Sequence, residues 1–202
     1  MLWVSYKIMC RWLAIFYFVF IRQKGREKFK RGESYVLVCN HNSHLDIIVN
    51  ALATPVPFQF LGKKEVEKMP LFGYIYKNIC ILIDRASKMS RARGFVEMGS
   101  ALSRGMSIMI YPEGTRNKTG KPLKEFFDGA FRLAIQSGRP IMVQTIVGSG
   151  KLANPHRMLD MRPGVLTCYW DGPISTEGMH SEDVEGLKEK VQGIMKEHLL
   201  ED

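Results

Sequence analysis

His41 and Asp46 stand five residues apart in the stretch Val38-Cys39-Asn40-His41-Asn42-Ser43-His44-Leu45-Asp46, a spacing that turns a carboxylate back toward an imidazole. A carboxylate accepting from one ring nitrogen fixes the tautomer and leaves the other nitrogen basic, which is what a general base needs to take a proton from a hydroxyl. The dyad has no obvious protein nucleophile beside it. Cys39 alternates to the same side of its strand as His41, so a Cys–His acyl-enzyme is the minor mechanistic alternative, although a strand-buried Cys is usually a small hydrophobe. His44 and Asp46 begin a metal-ligand set, but no third or fourth ligand clusters nearby. A second group, Glu113-Gly114-Thr115-Arg116, suits an anion. Arg116 offers a planar fork of donors that can hold a phosphate bidentately, Gly114 lets the backbone approach, Thr115 adds a hydroxyl, and Glu113 can orient the Arg or accept from a substrate hydroxyl. The bland alternative is an exposed turn with an internal Glu–Arg pair. Asp84-Arg85 forms a third charged group, to be read equally as a ligand contact or as a local salt bridge or helix cap.

The elements around these residues are those of an α/β layer. Tyr35 to Cys39 is short, apolar and largely β-branched or aromatic, hence a buried strand. Ser43 is placed to cap a following helix, with Asp46 at its third position, where unpaired N–H groups and the helix dipole favour a carboxylate. Phe58 to Leu61 reads as a strand, Lys63 to Met69 as a short helix stopped by Pro70, and Ile79 to Ile83 as a buried strand ending at Asp84-Arg85. A helix over Ser87 to Arg104 leads to the strand Ser107 to Tyr111, so the Glu113 turn also follows a strand. Open α/β sheets place ligand groups outside the carboxyl ends of their strands. Leu166 to Asp171 reads as a last strand and Ser181 to Leu200 as an amphipathic helix. The alternation of strands with helices argues an α/β layer architecture.

His41 to Asp46 resembles the His-x-x-x-x-Asp box of the glycerolipid acyltransferases, and Tyr111-Pro112-Glu113-Gly114-Thr115-Arg116 resembles the Pro-Glu-Gly-Thr-Arg box that follows it there. Gly62-Lys63-Lys64-Glu65, Pro70-Leu71-Phe72-Gly73 and Ile79 to Arg85 are similar to the family's second block. The resemblance covers roughly residues 30 to 175, and two boxes in the right order make it specific. It implies a single catalytic domain over 32–202 with a mostly parallel central sheet flanked by helices. It implies transfer of a fatty acyl group from acyl-CoA or acyl carrier protein to the free hydroxyl of a lysophospholipid, lysophosphatidic acid first, with no metal and no resident cofactor. It assigns His41 as base and Asp46 as its orienting partner, with Glu113, Gly114, Thr115 and Arg116 binding substrate and Arg85 as a further phosphate contact. Two positions depart from the family. Phe127 stands where a Lys or Arg often follows the first Phe of Phe126-Phe127-Asp128-Gly129-Ala130, and Gln144 stands where a Pro is usual in the last block. Both bear on acceptor specificity rather than on the reaction.

The chain of 202 residues carries a formal charge of +9. Lys7, Arg11, Arg22, Lys24, Arg26, Lys28, Lys30 and Arg31 against Glu27 and Glu33 put most of that excess before residue 35. Beside an apolar aromatic segment such a cluster meets anionic lipid head groups, each cation contributing about 1 kcal/mol. A nucleic-acid binder would instead spread its charge over one face with stacking aromatics. Met1 to Ile21 is rich in Trp, Tyr, Phe and Ile but interrupted by Lys7 and Arg11, and the run Trp12 to Ile21 is too short to cross a bilayer. The segment lacks the charge order and cleavage site of a secretory signal. Residues 1–31 therefore read as a membrane-association segment whose helix lies in one leaflet, monotopic or peripheral, on the cytoplasmic face of the inner membrane, with a packed core helix as the alternative. Cys10, Cys39, Cys80 and Cys168 lack paired spacing and read as reduced and buried. His156, His180 and His198 read as surface residues.

Overall fold

The computed structural model describes residues 2–68, 72–84, 86–153 and 160–200. Its seven-stranded sheet is built from β1 (Val19–Lys24), β2 (Val36–Cys39), β3 (Phe58–Lys63), β4 (Cys80–Ile83), β5 (Ser107–Ile110), β6 (Ile141–Val147) and β7 (Gly164–Ile174), in the spatial order β1-β7-β6-β2-β5-β3-β4. Strands β2 to β6 are mutually parallel, β7 runs antiparallel to β6, and β1 runs parallel to β7. Every residue of β2, β5 and β6 is buried, which is why these strands read as unbroken apolar runs: a sheet covered on both faces has no polar side to alternate with.

Alternate residues divide the core in two. Val36, Val38, Ile108, Ile110, Ile141 and Val143 face one layer, made by α4 (Lys88–Ser103), α5 (Gly129–Ser137) and α7 (Val184–Leu200). Leu37, Cys39, Met109 and Met142 face the other, made by α1 (Leu2–Phe16), α2 (Leu45–Ala53) and α3 (Phe72–Ile79). A short helix, α6 (Ser149–Leu152), follows β6. Each large aliphatic side chain fully buried in these layers contributes about 1.5–3 kcal/mol.

Several sequence expectations change here. The first helix stops at Phe16, and Val19–Lys24 is a strand of the sheet. Phe18 turns the chain with φ +53, a left-handed conformation that no glycine announces. Within residues 1–31, Tyr6, Cys10 and Val19 pack into the core. Residues Lys64–Lys68 form a 3-10 turn rather than an α-helix; Met69, Pro70 and Leu71 lie outside the described residues, as does His156. The last strand extends to Gly164–Ile174, and the final helix begins at Val184 after a 3-10 turn. His198 is half-buried rather than on the surface, its Nε2 2.8 Å from Asp171 Oδ2 and its ring stacked on Tyr169. All four cysteines are free and buried.

Candidate active site

The parallel strands β2, β5 and β6 end side by side, and the loops leaving them meet. Asn40, first after β2, has a side chain that both donates to Ile146 O (2.9 Å) and accepts from Ile146 N (2.8 Å), stitching the strand end to β6. His41 follows in the turn. Its Nδ1 lies 2.8 Å from Asp46 Oδ2, and the same oxygen accepts from Asn42 N (2.7 Å) and Ser43 N (2.8 Å). A carboxylate only accepts, so Nδ1 carries the proton and Nε2 is the basic nitrogen. Nε2 has no partner among the described residues, and the His41 side chain is 14% exposed whereas that of Asp46 is 0% exposed.

The capping expected at this helix is inverted. Helix α2 starts at Leu45 with His44 at the N-cap and no side-chain cap bond from it. Ser43 Oγ accepts only from Leu45 N (3.1 Å), while the Asp46 carboxylate reaches back to the two N–H groups of the turn. The orphan donors of a helix start are thus spent on orienting the His partner. His41 also stacks on Tyr111, ring centroids 4.0 Å apart and 14° from coplanar, and the Tyr111 hydroxyl accepts from Asn50 Nδ2 (3.1 Å). Burial pushes the Tyr111 phenol well up, so it stays neutral as the wall behind the imidazole.

Glu113 is fully buried. Its Oε1 accepts from His41 N (2.9 Å) and its Oε2 from Lys124 N (2.9 Å), so the carboxylate is spent on holding the turn after β5 against the turn after β2. Burial raises its pKa, opposed by those two N–H groups and by the charges of His41 and Lys124. Asn117 N donates to His41 O (2.6 Å) from the same loop. Glu113 is therefore a positioning residue, not the substrate contact that its sequence context suggests. Gly114 adopts φ +70, and a Cβ there would stand 2.8 Å from the Phe127 ring. Thr115 is exposed, its Oγ1 accepting from Lys124 Nζ (2.7 Å), which also donates to Glu113 O (3.3 Å). Arg116 Nη1 lies 2.7 Å from His44 Nδ1; guanidinium only donates, so His44 Nδ1 accepts. The structure thus gathers His41, His44, Asp46, Thr115 and Arg116 around two turns. Arg85 lies outside the described residues, and Asp84 Oδ1 accepts locally from Ala86 N (2.9 Å). Cys39 is fully buried and its thiol is pushed well up by burial first and then by the Asp46 charge. A thiol held in that way is a poor nucleophile.

Tyr111 and Lys124 were missed as site residues. Tyr111 was legible as a strand end and as the residue before the Pro-Glu-Gly-Thr-Arg box but not as the wall behind the imidazole, and Lys124 carries no motif. Among the described residues, no group of three or more His, Cys, Asp or Glu side chains is arranged to hold a metal.

A family model described as Acyltransferase matches residues 20–147, a span that contains both turns. The chain belongs to the acyltransferase family. It is 31% identical over 172 residues to a 1-acyl-sn-glycerol-3-phosphate acyltransferase of Cocos nucifera, an alignment covering 82% of the chain and 54% of that relative. The chain therefore spans about half the length of that relative. It is 28% identical over 176 residues to the 1-acyl-sn-glycerol-3-phosphate acyltransferase of Escherichia coli K12, covering 84% of the chain and 70% of the relative. Its fold is that of the crystal structure of PlsC, a 1-acyl-sn-glycerophosphate acyltransferase from Thermotoga maritima, with TM-score 0.83, 22% identity, and coverage of 98% of this chain and 78% of that one. The likeness is to a fold with a mostly parallel central sheet flanked by helices, as the two boxes imply.

Proposed function

We propose that this acyltransferase moves a fatty acyl group from an acyl thioester, acyl-CoA or acyl carrier protein, to the free sn-2 hydroxyl of lysophosphatidic acid, giving phosphatidic acid. The observation that carries the reading is the His41–Asp46 pair, with Nδ1 held at 2.8 Å and Nε2 left basic. Nε2 takes the hydroxyl proton as the oxygen attacks the thioester carbonyl, the C–S bond breaks, and the proton passes to the leaving thiolate. Asp46 stabilises the imidazolium formed between these events. Arg116, with Lys124 at Thr115 beside it, faces the acceptor phosphate. The relatives named for this activity support the assignment.

The donor arrives from water and the acceptor from a bilayer. Among the described residues no helix is long and apolar enough to cross a membrane. The outward side of α1 is mostly apolar: Val4, Ile8, Trp12, Ile15 and Phe16 are exposed, with Ser5 and Arg11 among them, and Phe18, Phe20 and Val165 are exposed beyond its end. Its position suits a monotopic enzyme. Lys24 pairs with Tyr169, and Tyr169 with Thr145, one step past the Gln144–Cys39 pair, so Lys24 is level with the start of the His41 turn. At about 3.3 Å per residue, Val19 and Phe18 reach roughly 16 Å beyond that level. Aromatic side chains there enter the bilayer while Arg22 and Lys24 meet anionic head groups on its cytoplasmic face.

A second reading, another lysophospholipid as acceptor, has one observation in its favour: Phe127, exposed over Gly114, takes the place of a family cation. Turnover of lysophosphatidic acid against lysophosphatidylcholine separates the two. A phosphomonoester carries about −1.5 to −2 charge and a charge-assisted contact contributes about 1.5–3 kcal/mol. Arg116→Ala should therefore lower kcat/KM for lysophosphatidic acid by about tenfold or more. Equal parental rates with both acceptors would remove the phosphomonoester assignment.

A further inference from the structure

Beside the catalytic turn lies a cleft of about 340 Å³ whose walls come from the loops after β2, β5 and β6 and from the end of α7. That is within the range of about 300–1,000 Å³ typical of ligand pockets. Lys118 and Lys121 line it together with Asn42, Gly150 and Leu199. No carboxylate lines it, and among the described residues neither lysine has an ion pair. The loop that carries the lysines is fixed by Asn117, whose Oδ1 accepts from Thr119 N (3.0 Å) and Oγ1 (2.7 Å) and whose Nδ2 donates to Lys121 O (2.8 Å). The same residue's N–H bonds His41 O, and Asn42, next in the chain to His41, also lines the cleft, so the cleft adjoins the turn that carries the base.

Its side of the sheet distinguishes it from the Arg116 corner. Leu199 packs against the α4, α5 and α7 layer, whereas α1 and the His44 end of α2 belong to the opposite layer. A lipid acceptor that arrives along the apolar α1 face meets Arg116 and His44. A water-borne donor has the other face free. On the acyl-transfer reading above, we propose that this cleft binds the phosphopantetheine arm of the acyl donor, with Lys118 and Lys121 holding its phosphate and the thioester extended to His41. Coenzyme A and the prosthetic group of acyl carrier protein share that chemistry. Asn117 fixes the loop backbone from which the two ammonium groups extend, and a carboxylate-free wall adds no repulsion toward a phosphate.

The test is binding and kinetics on the full chain with Lys118→Ala/Lys121→Ala. Calorimetry with coenzyme A, 4′-phosphopantetheine and pantetheine should show pantetheine binding about tenfold or more weakly than its phosphate, the size of one charge-assisted contact, and the double variant should lose that difference. Affinities equal for coenzyme A and phosphopantetheine assign the shared phosphate. An excess for coenzyme A that also disappears in the variant assigns the nucleotide phosphates as well. In turnover, the variant should raise the donor KM by about tenfold while leaving the lysophosphatidic acid KM, and the rate with a phosphate-free N-acetylcysteamine thioester, unchanged. Unaltered donor affinity and donor KM in the variant would overturn the proposal, as would a rise in the acceptor KM instead. If the parent transferred no acyl group to any acceptor, the acyltransferase reading would fall, and the calorimetry would still decide whether the cleft holds a phosphopantetheine phosphate.

Discussion

At the scale of single residues, the site rests on two buried carboxylates used in different ways. Asp46 gathers His41 Nδ1 and two backbone N–H groups on one oxygen, so Asp46→Asn leaves a choice between facing an amide NH2 toward those donors and losing the imidazole contact. Its turnover should fall by a factor similar to or smaller than the about 100 to 10,000 typical of a lost general base, read in a thioester-consumption assay. Glu113 instead ties together groups 72 and 11 residues away. Glu113→Gln keeps one acceptor oxygen but turns an NH2 toward a backbone donor. It should cost about 1–3 kcal/mol in urea unfolding, with activity falling as the His41 turn loosens. The contrast explains what was legible. A His and an Asp across one turn announce their contact through spacing alone. The partners of Glu113 are distant in the chain, so its neighbours Gly114, Thr115 and Arg116 drew it into an anion site where its own carboxylate has no free oxygen.

Element boundaries tell the same story through backbone conformation. The run Trp12 to Ile21 looks continuous because nothing in it breaks a helix, yet Phe18 takes φ +53 and the chain reverses into β1. The edge strand was invisible because its Arg22, Gln23 and Lys24 lack an apolar alternation, β1 being covered on one side only. The central strands were legible because burial on both faces leaves an unbroken apolar run, and α4 because Phe95, Met98, Ala101 and Leu102 recur on one helical face. Gly114→Ala should be destabilising by about 1–2 kcal/mol for the left-handed backbone alone, with more for the Phe127 contact. Phe127→Ala in the same chain should recover the contact part and not the backbone part, measured by denaturant midpoint. In α1, Lys7 Nζ donates to Thr54 O (2.7 Å), and burial first, then Arg26 and Arg11, lower its pKa from 10.5 to about 8. A lowered cation pKa means the unfolded chain binds more protons in that window, so stability rises from about pH 8 to 10.5 and the penalty is complete, with no further slope, below about 8. Lys7→Met should flatten that slope relative to the parent in unfolding measured across the window.

For the whole molecule, the proposed acyl transfer needs a dyad at the end of a parallel sheet to reach a lipid acceptor in a bilayer. Tyr6, Cys10 and Val19 are core residues, so removing the first segment would damage the fold, and surface changes test the membrane reading more cleanly. Phe16, Phe18 and Phe20 are 73%, 65% and 64% exposed. Their joint replacement by Ser should weaken binding to anionic vesicles by about tenfold or more with little change in melting. A reporter at residue 1 protected from cytoplasmic labelling would instead indicate a span. The central claim is that His41 is the base of an acyl transfer. Its most direct test is thioester consumption by the purified chain with lysophosphatidic acid, parent against His41→Ala. If His41 is the base, the variant loses about 100- to 10,000-fold in turnover with its fold intact; near-parental turnover by His41→Ala would show that it is not.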